Sequence, residues 1–327
     1  METLNDSPVL VLEHNITAAF ETFHINAADL VKQGVLDHEI QLAVDAAPPR
    51  TPQIKRSARG EKAQIHVHVA FLELLWAFIY SWMVVYEETV QKTQLRGDKI
   101  GSTHIDNEQL VARSDALWNW ARGIREGYTR WPKNLPSPRY QTSEVEIYYA
   151  EKANFVFERA ASFLLSHEFA HVTLGHLDIS RLDATADILS VQLENEADQD
   201  AFNSIVDQGL EDKEKSAQAW AILSAMLSTL FTCRDLRCAL KSGSHPPLHH
   251  RLGHLVHSLN FQGENYRYYF PLLCQMILQN AFPELHQPET YFEDAEEIFQ
   301  IALDKLDEWA ELDRLAELAR LAAEGEK

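Results

Sequence analysis

The sequence predicts a mainly α fold of the α+β class, a helical body carrying a small antiparallel sheet. Three observations predict it. Apolar residues recur at helical spacing through several long segments, two short stretches alternate apolar and polar residues, and 46% hydrophobic content in 327 residues supplies a core large enough for one body. We therefore expect residues 1–327 to form a single compact body. Its motif-bearing core spans about 143–260, and a long amphipathic C-terminal helix spans about 292–324.

The segments Ile40 to Ala46 and Ala63 to Val69 read as short strands, separated by the Pro/Arg/Gly-rich APPRTPQIKRSARGEK. Val69 to Tyr86 follows as a helix that is apolar nearly all round. It approaches bilayer-spanning length but carries Glu73 and has no basic flank to orient it, so the expectation is a core helix and no membrane span. The three prolines of GYTRWPKNLPSPRY break regular structure and suggest a lid or surface loop. Ser143 to Tyr149 alternates well enough for a further strand. Beyond it, KANFVFERAASFLLSHEFAHVTLGH has the helical period. A second helix is expected from about Val191 to Gln208 and a third over SAQAWAILSAMLSTLFTC. The acidic C-terminal helix is expected to close over the body's own core.

The formal net charge of -20 repels phosphate backbones and anionic surfaces, which argues against nucleic acid as a partner. Cys233, Cys238 and Cys274 are odd in number and form no CxxC pair, so they read as reduced thiols. The opening METLNDSPVLVLEHN carries acid where a signal peptide carries base, and the expected location is cytoplasmic.

The chemistry concentrates in SHEFAHVTLGH. His167 and His171 are four residues apart, so on a helix they lie about 40° apart around the axis and one turn along it, and both imidazoles can reach one ion. Glu168 sits beside them, where a carboxylate can take a proton from water at the metal. A third ligand is needed to leave one open position. His176 follows the second histidine at a spacing that does not match the metzincin pattern, and on a continuing helix it would lie opposite His167, so a structural or ligand-orienting role suits it. Downstream, Glu194 and Asp198 are i and i+4 on an expected helix. One can complete the metal set and the other can orient a ligand histidine. Glu196 points away and is the weaker candidate ligand. His245, held by Pro246 and Pro247 before Arg251, either donates a hydrogen bond to the oxyanion of a carbonyl-addition intermediate or simply caps and packs a turn. His250, His254 and His257 are helically spaced, but no carboxylate accompanies them in their segment, so they read as a solvated or cleft-lining face.

Taken together, His167-Glu168-Phe169-Ala170-His171 with Leu174-Gly175-His176, then Glu194-Asn195-Glu196-Ala197-Asp198, then Ser244-His245-Pro246-Pro247 with Arg251, resemble the HExxH, ExxAD and (S/T)HPP...R elements of gluzincin peptidases. The M48 membrane peptidases and ImmA/IrrE-type regulatory peptidases share parts of this pattern. The former carry several membrane spans and the latter often a helix-turn-helix neighbour, neither of which is evident here. A chain of this size with HExxH past its middle is most similar to the Lit-type phage-exclusion peptidases of family U49. The resemblance covers about residues 160–255. It implies a gluzincin-like metallopeptidase body, Zn2+ as cofactor, and an intracellular endopeptidase. By resemblance its protein substrate could be a translation factor such as elongation factor Tu, with an activating peptide or protein. The alternatives left open are a regulated peptidase silent until triggered, a metal-binding regulatory or interaction module, and a metal-dependent hydrolase of a non-peptide amide.

Overall fold

The computed structural model describes residues 6–23, 27–37, 40–57, 60–97, 105–179, 186–233, 240, 246–283, 285 and 295–325. The described chain enters through a 3-10 turn, Pro8–Leu12, and two short helices, α1 (Glu13–Phe23) and α2 (Ala27–Lys32). Three strands follow: β1 (Gln41–Ala43), β2 (Gln53–Lys55) and β3 (Gln64–His68), ordered β1-β3-β2. The two strands expected at Ile40 to Ala46 and Ala63 to Val69 form, shortened, as β1 and β3. The third, β2, lies inside the Pro/Arg/Gly-rich connection, where no strand was expected.

The sheet is mixed, not purely antiparallel. β2 and β3 form an antiparallel pair through Ile54↔Ile65, while β1 runs parallel to β3 through Leu42↔Val67. Pro48 and Pro49 after β1 interrupt the regular backbone and withhold two ladder donors, so β1 does not fold back on its immediate successor. It lies instead on the far side of β3.

Helix α3 (Val69–Val85) is the core element, with every residue from Val69 to Val84 buried. Most of the apolar stretch Val69–Gln91 is enclosed by the protein's own packing. Trp76 stacks on Tyr80 at 5.1 Å and donates from Nε1 to Asn154 Oδ1 at 2.7 Å. Glu73, fully buried, accepts from Ser7 Oγ at 2.6 Å, and burial pushes its carboxyl up to about 7. The helix continues through a π turn, Tyr86–Gln91, into the short α4 (Lys92–Leu95).

Helix α5 (Glu108–Gly123) packs on α3 and leads into the proline-rich loop. That loop is irregular as expected, but Trp131 and Leu135 are buried, and Trp131 packs on Trp76 and Trp120 at 5.7 and 4.6 Å. These rings anchor it against α3 and α5.

The expected strand Ser143 to Tyr149 is instead the start of α6 (Glu144–Thr173). Ser143 caps it by accepting from Glu146 N at 3.2 Å, and Glu146 reaches back to Thr142 N at 2.6 Å, an arrangement close to a capping box. Burial of Glu146, Tyr149, Ala150 and Ala153 follows the helical period, and Glu146 is paired with Arg113. Apparent alternation lost to a strong cap and a buried ion pair.

Helix α6 packs against α1, α3, α7 (Ala186–Ile205) and α8 (Asp212–Thr229). Three more helices complete the described chain: α9 (Leu248–Ser258), α10 (Glu264–Ala281) and α11 (Ala295–Gly325). The expected closing role holds for the first turns of α11, where Phe299, Leu303 and Leu306 are buried. Farther along, Leu312, Leu315, Leu318 and Leu321 are exposed, because successive three-residue steps carry the leucines off the packed face.

Candidate active site

The site lies where the last turns of α6 meet the middle of α7. An i, i+4 pair on each helix faces the other: His167 and His171 from α6, Glu194 and Asp198 from α7, all four buried. His167 Nε2 is 3.3 Å from His171 Nε2 and 3.2 Å from Glu194 Oε2, and His171 Nε2 is 3.5 Å from Glu194 Oε1. Ligand atoms about 2.0–2.1 Å from a tetrahedral ion are separated by roughly 3.3 Å. These side chains therefore fit three corners of such a shell, and the donor set, two imidazoles and a carboxylate, suits a borderline divalent metal.

The far nitrogens of both imidazoles are occupied in ways that bear on their tautomers. His167 Nδ1 lies 2.8 Å from Asp198 Oδ1, close but not aligned along the N–H direction. Asp198 is gripped by Arg251 of α9, whose Nε and Nη2 donate to its two oxygens, each at 2.6 Å. Burial would raise the Asp198 carboxyl, but Arg251 and His167 hold it well below the usual carboxylate range. Burial likewise opposes a charge on His167, yet Asp198 and Glu194 outweigh it and lift the imidazole to about 9. The pocket thus attracts positive charge at the point where the ligand atoms converge.

On the other imidazole, His171 Nδ1 meets His176 Nδ1 at 3.0 Å, and His176 Nε2 meets Glu196 Oε2 at 3.3 Å. If His171 turns its Nε2 lone pair to an ion, its Nδ1–H donates to His176, which in turn donates to Glu196. The local backbone explains why His176 can do this. Gly175 takes the left-handed conformation at φ +73°, ending α6, so the chain reverses and carries His176 back beneath His171. The opposite facing expected of a continuing helix does not arise.

Glu168 is half-buried on the sheet side of α6, and its Oε2 accepts from Ile54 N of β2 at 2.5 Å. Arg56, just past β2, pairs with Asp178 after the Gly175 turn at 2.7 Å, strapping the edge strand across the motif. A carboxylate that follows His167 in the chain and is held by a backbone N–H is suited to proton transfer.

The structure thus brings together His167, Glu168, His171, His176, Glu194 and Asp198. His245 lies outside the described residues. His254 and His257 are exposed, whereas His250 pairs with Asp307. Sequence reasoning noted Arg251 only as a motif residue and missed both its clamp on Asp198 and the Ile54 N–H. A backbone donor on a distant strand leaves no residue-type signal.

A family model described as Peptidase U49 matches residues 65–271, a span from β3 into α10 that includes His167, Glu168, His171, His176, Glu194, Asp198 and Arg251 but excludes β2 and α11. Among curated proteins, a Cell death peptidase of Escherichia coli (strain K12) is 30% identical over 203 residues, which cover 60% of this chain and 64% of that protein's length. No solved structure matches.

Proposed function

We propose, since the chain belongs to the Peptidase U49 family, that it is a zinc-dependent endopeptidase that hydrolyses peptide bonds of an intracellular protein. The observation that carries this reading is the convergence of His167, His171 and Glu194 at tetrahedral spacing, with Glu168 next to them. His167, His171 and Glu194 would hold the ion. When bound, Zn2+ supplies Lewis acidity toward a carbonyl oxygen and lowers the pKa of a water to about 7.

The remaining work falls to the protein's own groups. Glu168 accepts the proton of the attacking water as its oxygen bonds to the carbonyl carbon, then passes that proton to the departing amine nitrogen as the C–N bond breaks. The Ile54 N–H fixes the position of one Glu168 oxygen. Asp198, oriented by Arg251, keeps His167 facing the ion, and His176 does the same for His171. His245 remains our candidate donor to the developing oxyanion.

A role in phage defence or regulated proteolysis follows from the family resemblance, with a translation factor such as elongation factor Tu as candidate substrate. A second reading, a peptidase that needs an activating peptide or protein, is favoured by one observation: the edge strand already engages the Glu168 carboxylate. The test compares wild type with Glu168→Gln, measuring zinc content and new N-termini in a host lysate, with and without candidate activators. We expect equal zinc in both and cleavage by wild type only. Zinc loss in the variant, or cleavage by it at the wild-type rate, would overturn the assignment.

A further inference from the structure

A second group of ligand-type side chains lies where α9 meets α11, beyond the active centre. His249 Nε2 and His250 Nε2 approach the same carboxylate oxygen, Oδ1 of Asp307, at 2.8 and 2.5 Å. The two rings stand 4.5 Å apart, and the three ligand atoms lie within 4.8 Å of one another. Asp307 is 57 positions from His250 and outside the span matched by the family model. Sequence reasoning set aside a second metal at His250, His254 and His257 for want of a carboxylate; the fold supplies one to His250, with His249 and not His254 or His257 beside it.

We propose that His249, His250 and Asp307 form a second, weaker site for a divalent d-block ion, which staples the closing helix α11 to α9. Imidazole-rich N2O sets favour Zn2+, Ni2+ or Cu2+ over Mg2+ or Ca2+. His249 is 2% exposed, so packing fixes its ring with Nε2 toward Asp307. His250 and Asp307 are half-exposed at 52% and 51%, so an ion has an open approach and water can complete its shell. The affinity has a built-in limit. The buried Nδ1 of His249 has no acceptor, so ligation through Nε2 leaves an unsatisfied N–H, which weakens binding by roughly tenfold or more relative to a fully supported imidazole. The staple matters because Arg251, which grips Asp198, lies on the same turn of α9.

The test is a zinc titration of the full chain by equilibrium dialysis, using wild type, His250→Gln, Asp307→Asn and His171→Gln, with circular dichroism confirming that each is folded. We expect two equivalents for wild type, one tight and one weaker. His250→Gln and Asp307→Asn should each lose only the weaker, and His171→Gln should weaken only the tight one. Should Asp307→Asn remove a lone equivalent that His171→Gln leaves intact, this site stands and the catalytic assignment fails. Wild-type stoichiometry in both His250→Gln and Asp307→Asn, or a single wild-type equivalent lost in His171→Gln alone, means that the cluster is a hydrogen-bonded clasp and overturns the proposal.

Discussion

Replacing Arg251 with methionine tests how the active centre is held. Two charge-assisted hydrogen bonds of 2.6 Å join Arg251 to Asp198, and the paired side chains are only 14% and 6% exposed. Removing the guanidinium leaves the buried Asp198 carboxylate with His167 as its remaining partner, and breaking a buried pair from one side costs up to about 3–5 kcal/mol. Against a total stability of about 5–15 kcal/mol, that is a large fraction. Urea unfolding in the presence of a chelator isolates this loss from any contribution of bound metal. The second consequence is local. With Asp198 released, His167 loses the group that orients it, and supporting residues of this kind are worth roughly 10–100-fold in metal affinity, measurable by competition with a chromophoric chelator. Lysine should rescue poorly, because a single ammonium cannot span both Asp198 oxygens. If Arg251→Met unfolds within about 0.5 kcal/mol of wild type, below the range expected for a buried pair, and binds zinc unchanged, the clamp has no energetic role and the reasoning fails.

Further expectations can be checked on the same protein. Glu194→Gln should lower zinc affinity at least about tenfold, whereas Glu196→Gln, whose carboxylate meets His176, should lower it less; a reversed order would make Glu196 the ligand. Burial pushes the Glu73 carboxyl up to about 7 from its ordinary 4.5, so the folded state binds its proton more tightly. Its contribution is complete below about 4.5 and is lost as pH rises through 7, about 3 kcal/mol in all. Thermal melts of Glu73→Gln should therefore flatten this decline and show a higher Tm than wild type at pH 8; an unchanged pH profile would mean Glu73 ionises freely in the fold.

The sequence by itself determined the local terms. Four-residue spacing places His167 over His171 and Glu194 over Asp198 once each segment is helical, and the helical period of the flanking apolar residues makes it so. A run apolar on every side, as in α3, has no stable place but an apolar one, so its burial was legible too. Tertiary structure decided whatever joins distant segments. Residues 143–149 became helix because Arg113 buries its charge against Glu146, the sheet became mixed because β1 took the far side of β3, and Ile54 found Glu168 across 114 positions. Asp307 likewise came to lie against His249 and His250. Such pairings depend on which surfaces meet when the helices pack, and periodicity along a chain carries information only about neighbours a few residues away.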